Sequence, residues 1–211
     1  MHIIWLGHSC FKIESREAVI VVDPYKDGSV PGLGNVRENA DLVLCSHGHD
    51  DHSGTECVKL SGDFKPGIKI TKIDTFHDHH NGTHRGKNTI HMIEADGYRI
   101  AHLGDLGCRL QEKQKEQLKN LDLLLVPVGG FYTIDAKEAV ELVLELKPQT
   151  VIPMHYREER NAYGYDVIGT VSAFTELMDS VTTVEGSDIC MENRPDAQVV
   201  VLRPANGGRS E

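Results

Sequence analysis

Paired cysteines are missing from this chain: Cys10, Cys45, Cys57, Cys108 and Cys190 are odd in number and none forms a CxxC spacing. That excludes a disulfide framework and a thiolate zinc knuckle, and it fits a reducing cytoplasm. No apolar run reaches membrane-spanning length, and the first residues carry neither a basic start nor a long apolar stretch. A soluble, cytoplasmic protein with no membrane partner is therefore expected. Positive charge is also scarce, with 22 Lys and Arg against 32 Asp and Glu and a formal net charge of −10. Such a surface repels a phosphate backbone, so no nucleic acid partner is expected. There is no internal repeat and no low-complexity linker.

What remains is ordinary globular material. With 211 residues and 39% apolar content, the chain can bury one sizeable core, and it reads as a single domain over 1–211 with a disordered tail over 204–211. Val- and Ile-rich runs at 3–6, 18–22, 42–45, 68–73, 123–128, 151–152 and 199–202 read as strands. Residues 88–94 and 98–103 flank Asp96-Gly97, a dipeptide suited to the positive φ angles of a tight reversal, and so predict a hairpin. Helical spacing covers 110–118, 136–146 and 167–178. Strands come first and then alternate with helices, an order that fits two packed sheets with outer helices better than a doubly wound sheet.

The chemistry concentrates in Ser46-His47-Gly48-His49-Asp50-Asp51-His52, which follows an apolar strand. Three imidazoles and two carboxylates in seven residues point to metal, and to a site for two ions. In an extended loop, alternation puts His47, His49 and Asp51 on one side and His52 on another. Three other segments end an apolar strand on a ligand-type residue: Thr75-Phe76-His77-Asp78, His102-Leu103-Gly104-Asp105 and Ile152-Pro153-Met154-His155.

With these words in place, the sequence resembles the metallo-β-lactamase-fold hydrolases, through HxHxDH, a downstream His, a Gly-Asp and a final His. Within them it resembles the small metal-dependent hydrolases related to the L-ascorbate-6-phosphate lactonases. Further matching words are Trp5-Leu6-Gly7-His8-Ser9-Cys10-Phe11, Val22-Asp23-Pro24, Arg85-Gly86-Lys87-Asn88-Thr89 and the run from Pro127 to Ala136. The resemblance implies an α/β fold, an αββα sandwich of two mixed sheets face to face with helices on both outer faces. It further implies that His47, His49 and His77 bind one ion, that Asp51, His52 and His155 bind a second, and that Asp105 bridges them. Two divalent cations, zinc above all and otherwise manganese or iron, suit imidazole and carboxylate ligands. Family members with a redox di-iron centre tend to carry Glu at the second position, so His49 favours hydrolytic zinc. Metal-held water would then supply hydroxide near neutral pH, with Asp51 as ligand and as the catalytic group that handles its proton.

The other histidines and the cations need separate treatment. Period-two geometry leaves His77 and His79 on one side, and only the resemblance favours His77. His80 and His84 read as solvated loop residues. His8 is either a half-buried strand-end residue or a neighbour of the metals and substrate. Asp23 is expected to fix the metal-binding loop by hydrogen bonds without touching an ion, and His102 to be structural. Cys45 and Cys108 read as buried small hydrophobes. Arg85, Lys87 and Arg157 fit surface roles better than anion binding, and Tyr132, on a loop after a strand, is a candidate oxyanion donor.

The function expected is hydrolysis of a small ester, lactone, thioester, amide or phosphoester. The partner expected is a small substrate molecule, an anionic one included, and self-association into a homo-oligomer is left open. A nuclease or phosphodiesterase of the same fold is the first alternative, opposed by the acidic charge. An iron oxidoreductase or dioxygenase is the second, separable by colour and elemental analysis. A non-catalytic metal-binding scaffold is the least favoured.

Overall fold

Residues 1–61, 67–158 and 163–207 are described by the computed structural model. Alternating burial in the first residues makes strands: β1 (His2–Gly7), β2 (Cys10–Glu14) and β3 (Val19–Val22) run antiparallel, one after another. One face of this meander carries Trp5, Phe11, Ile20 and Val22 into the main core. The other carries Leu6, Cys10 and Val21 into a smaller cluster with Tyr25, Val30, Val36 and Val58. A two-residue period divides the side chains between these cores.

The chain then passes through β4 (Glu38–Ala40), β5 (Leu42–Leu44), a 3₁₀ turn at Thr55–Cys57 and β6 (Val58–Leu60). β5 lies parallel to β3, and β4 pairs with β6 in a separate ribbon. Next come β7 (Lys69–Phe76), β8 (Lys87–Ala95) and β9 (Tyr98–His102), all antiparallel. Asp96 and Gly97 close the second hairpin at φ 52° and 84°, the left-handed pair that this tight turn requires.

From β9 the connections become parallel crossovers. Helix α1 (Glu112–Gln117), β10 (Leu123–Pro127), α2 (Ala136–Leu146), β11 (Thr150–Met154) and α3 (Ser172–Thr175) follow. Strands β12 (Val181–Thr183), β13 (Asp188–Cys190) and β14 (Val199–Val201) complete the order. The result is a five-stranded sheet, β13-β1-β2-β3-β5, and a seven-stranded sheet, β12-β14-β11-β10-β9-β8-β7. Both are mixed, and one continuous core holds Trp5, Phe11 and Ile20 of the first with Ile93, Leu125 and Ile152 of the second. The expected α/β sandwich is what forms. Its helices are few, and all lie in connections of the larger sheet, whereas the smaller sheet's outward cluster is covered by the 24–60 segment.

Two sequence expectations need correction. Helical spacing over 167–178 yields helix only at Ser172–Thr175, because the backbone before it is bonded elsewhere. Gly169 donates to Gly129 O at 2.6 Å and accepts from Arg157 N at 3.0 Å. Of the tail, 204–207 is not free: Ala205 N donates to Trp5 O, Asn206 N to Leu6 O, and Gly34 N to Asn206 O. Residues 208–211 lie outside those described. Among the described residues, no helix is long and apolar enough to cross a membrane.

Candidate metal centre

Strand ends deliver every candidate ligand to one place. The 46–52 run leaves β5, His77 follows β7, Asp105 follows β9 and His155 follows β11. Asp105 lies at the centre. Its Oδ2 is 3.2 Å from His77 Nε2, 3.2 Å from His155 Nε2 and 4.0 Å from His47 Nε2, and its Oδ1 is 3.1 Å from His52 Nε2. Around it, His47, His49 and His77 form one cluster, and Asp51, His52 and His155, with His8, form another. All seven sequence candidates are thus brought together, while Asp50 turns outward to Lys26 Nζ at 2.8 Å.

The loop does not alternate as an extended strand would. His52 N donates to His49 O at 2.9 Å, a turn that sends Asp51 together with His52 to the second cluster. Alternation had grouped Asp51 with His47 and His49; the turn is why that grouping fails.

Imidazole tautomers are set from outside. Asp23, buried at the end of β3, accepts from Ser46 N and Ser46 Oγ, each at 2.6 Å, and from His52 Nδ1 at 2.8 Å. With its proton committed to Asp23, Ser46 Oγ accepts from His47 Nδ1 at 3.0 Å. His77 Nδ1 donates to Tyr132 O at 3.0 Å. In each ring the Nδ1 proton faces outward and the Nε2 lone pair faces the cluster, the arrangement a metal-binding histidine needs. Burial alone would raise the Asp23 carboxyl; the His52 and His102 imidazoles and the hydrogen bonds from His52 and Ser46 hold it at about 2. Burial, then the neighbouring His52, lowers His47 to about 3, keeping it neutral and able to bind.

The fit to cations follows from atoms that face one another without a well-directed hydrogen bond. His47 Nε2, His52 Nε2, His155 Nε2 and Asp105 Oδ1 are buried and lack one, although Asp105 stands 3.1 Å from His52 Nε2 and 3.2 Å from His155 Nε2, and a buried polar group so placed is costly unless something else is bound. Burial opposes charge on His52, but flanking Asp105 and Asp23 push its pKa well above the ordinary value. A proton there does the work that a divalent cation does better.

Close backbone approach makes the cage. A Cβ on Gly107 would lie 2.4 Å from His77 C, and one on Gly129 would lie 2.2 Å from His155 O, so only glycine lets these loops sit against the ligand residues. Asn88 Oδ1 accepts from Asp105 N at 2.9 Å, while its amide donates to Thr75 Oγ1 and Leu103 O.

Other sequence readings resolve here. His79 is exposed, with Nε2 3.8 Å from Glu138, because the chain turns at His77-Asp78 rather than continuing extended. His80 and His84 stack on one another at the exposed surface. His102 is structural, with Nε2 donating to Ser9 O at 2.8 Å and Nδ1 accepting from Gly104 N at 3.1 Å. Cys45, just past β5, and Cys108, in the loop between β9 and α1, are half-buried rather than buried. Arg157 Nε donates to Ile168 O, and Lys87 is exposed at the start of β8.

His8 approaches the cluster: its Nε2 is 3.3 Å from Asp51 Oδ2 and its ring is 4.2 Å from that of His155. Burial and the neighbouring His155 lower it to about 4, so it is a neutral donor. Burial alone would raise Asp51, but the His8 hydrogen bond and His52 hold it below the usual carboxylate range. Sequence reasoning missed Tyr165, whose hydroxyl lies 3.3 Å from Asp51 Oδ2 and 2.8 Å from Ser29 O. No local pattern marks it, because a loop far along the chain brings it there. His49, Asp51, His77, Arg85, Asp105, Tyr132 and Tyr165 line a cleft of about 240 Å³ over the cluster.

Residues 2–155 match the β-lactamase superfamily domain. A UPF0173 metal-dependent hydrolase of Thermococcus onnurineus is 31% identical, over 72% of this chain and 83% of its own. One from Pelotomaculum thermopropionicum is 32% identical, over 74% and 84%. The crystal structure of a Thermotoga maritima protein described as a Zn-dependent hydrolase of the metallo-β-lactamase superfamily superposes with a TM-score of 0.75. It is 32% identical and covers 95% of this chain and 97% of its own. Fold and cluster together define a metal-dependent hydrolase of the metallo-β-lactamase superfamily. Within that class, the chain belongs to the UPF0173 metal-dependent hydrolase family.

Proposed function

We propose that the protein is a dinuclear hydrolase of small esters, lactones or thioesters, with zinc as its native ion. His47, His49 and His77 would hold one cation, Asp51, His52 and His155 the other, and Asp105 both. The observation that carries this reading is the convergence on Asp105 of buried Nε2 atoms that lack well-directed hydrogen bonds. Bound divalent cations would supply deprotonated water near neutral pH and polarise the scissile carbonyl.

The remaining chemistry belongs to the chain. Asp51 Oδ2 faces both His8 Nε2 and Tyr165 Oη at 3.3 Å, so a proton arriving on that oxygen has two hydrogen-bond partners to adjust to it. Tyr165, half-buried at the rim, stands where it can donate to an oxygen gaining charge. Tyr132 lines the same cleft, its ring edge-on to that of Tyr165 at 5.9 Å, while its carbonyl fixes His77. The cleft admits a small molecule, and among the described residues Arg85 is the one cation that lines it.

The test is a screen of ester, lactone, thioester and phosphoester probes with zinc-loaded protein, alongside metal analysis. Turnover that falls more than about 10²-fold in Asp51→Asn, with two equivalents of zinc in the wild type, is the expected result. Undiminished turnover in Asp51→Asn, or stoichiometric iron with visible colour, would overturn it.

A further inference from the structure

Arg85 carries a positive charge to the mouth of the cleft, and among the described residues no carboxylate pairs with its guanidinium. Its place is fixed by the chain before it. Asp78 accepts four backbone N–H groups with its carboxylate, from His80, Gly82, His84 and Arg85, at 2.7–3.1 Å. This ties the whole 78–85 turn into one knot that ends on Arg85, next to ligand candidate His77.

Its side chain is seated as firmly. The guanidinium carbon lies 5.1 Å from the centre of the Tyr132 ring and 5.6 Å from that of Phe131, within range of cation–π attraction. A guanidinium held over ring faces still has N–H groups to donate to a planar, two-pronged oxyanion partner. Phe131 maintains the seat at some cost, being 62% exposed with φ at 59°. Tyr132 couples the two ends of the cleft: its carbonyl holds His77 and its ring holds Arg85. Tyr132, together with Phe131 and the Asp78 knot, thus ties the cation to the metal cluster. An unanswered cation in a chain of net charge −10, held rigidly over a small cleft, calls for an anion that arrives with the substrate.

We propose that Arg85, seated on Tyr132 and Phe131, recognises a carboxylate or phosphate carried by the substrate away from its scissile bond. The proposal rests on the hydrolase reading for the word substrate, but its binding chemistry is separable from turnover. Zinc-loaded wild type and Arg85→Gln are titrated calorimetrically with glycerol phosphate and with glycerate. Zinc contributes equally to both proteins, so the difference reports on Arg85. Binding of one anion about tenfold weaker in Arg85→Gln is expected, and whichever anion loses more identifies the group as phosphate or carboxylate. Arg85→Lys should recover part of the loss, because it keeps the charge without the fork. In parallel, the kcat/KM ratio of mono-4-nitrophenyl glutarate to its methyl ester should exceed one in wild type and fall toward one in Arg85→Gln. Equal affinities in wild type and Arg85→Gln, or no measurable anion binding by wild type, overturn the proposal. Lost anion binding in Arg85→Gln combined with no cleavage of any probe by wild type would leave Arg85 assigned and remove the hydrolase reading.

Discussion

The two halves of the cluster are built differently. On the side of Asp51, His52 and His155, burial and partners supply the order: His52 is clamped by Asp23, Asp51 lies between His8 and Tyr165, and His155, whose ring nitrogens make no directed hydrogen bond, is fully buried with its N donating to His8 O at 3.2 Å. On the side of His47, His49 and His77 the bracing is thinner. His49 is exposed, and among the described residues no hydrogen bond holds its ring. One half is thus preorganised, whereas the other gains its last ligand when a cation arrives. Preorganisation lowers the cost of binding, so the buried half should hold its ion more tightly.

The largest expected effect removes what the halves share. Asp105→Ala should leave less than one equivalent of bound zinc and lower turnover by more than about 10²-fold; elemental analysis and steady-state rates measure both, and two retained equivalents would contradict the central position of Asp105. Next, Asp23→Ala removes the clamp from one half only. Zinc affinity should fall about 10–100-fold, and the metal-free chain should lose about 3 kcal/mol because buried His52 loses a carboxylate partner. Competition with a chelator and urea melts separate those two effects. A smaller difference comes from His49→Ala, which should lose one equivalent of zinc while the melting temperature of the metal-free chain stays within about 2 °C of wild type. Loss of the tighter equivalent would reverse the comparison.

The smallest effect is a pH dependence. Asp23 is held at about 2 against an ordinary 3.8, so below pH 4 the unfolded chain takes up its proton first. Stability from this group is fully present above about pH 4 and is lost as pH falls toward 2, about 2 kcal/mol in all. Metal-free Asp23→Asn should show a shallower acid limb in a melting series, and an identical limb would remove Asp23 as its source.

Much of the cluster could be read in advance because it is contiguous or sits at strand ends. The 46–52 run carries four candidates within seven residues, and Asp105 and His155 each follow an apolar run. The Asp135 cap of α2, whose side chain accepts from Glu138 N at 2.9 Å, is equally local, and that helix has the expected bounds. What escaped depends on distant pieces meeting. Tyr165 matters only because its loop folds over Asp51, and Asn88 only because its amide bridges Thr75 and Leu103. Strand β13 has just one buried residue, Ile189, and forms because β1 offers it an edge. The 167–171 segment has helical spacing but is claimed by backbone bonds to Gly129 and Arg157, interactions with no counterpart in periodicity.

His8, Asp23 and His155 all adopt the left-handed backbone, with φ at 53°, 48° and 52°, a conformation that costs a residue with a Cβ roughly 1–2 kcal/mol. Three residues around one cluster carry that cost, and at position 23 the carboxylate that clamps His52 outweighs it, whereas at 8 and 155 glycine would relieve it. Selection for heat resistance alone would therefore press on 8 and 155, and a chain with glycine there would be one whose chemistry had been traded away.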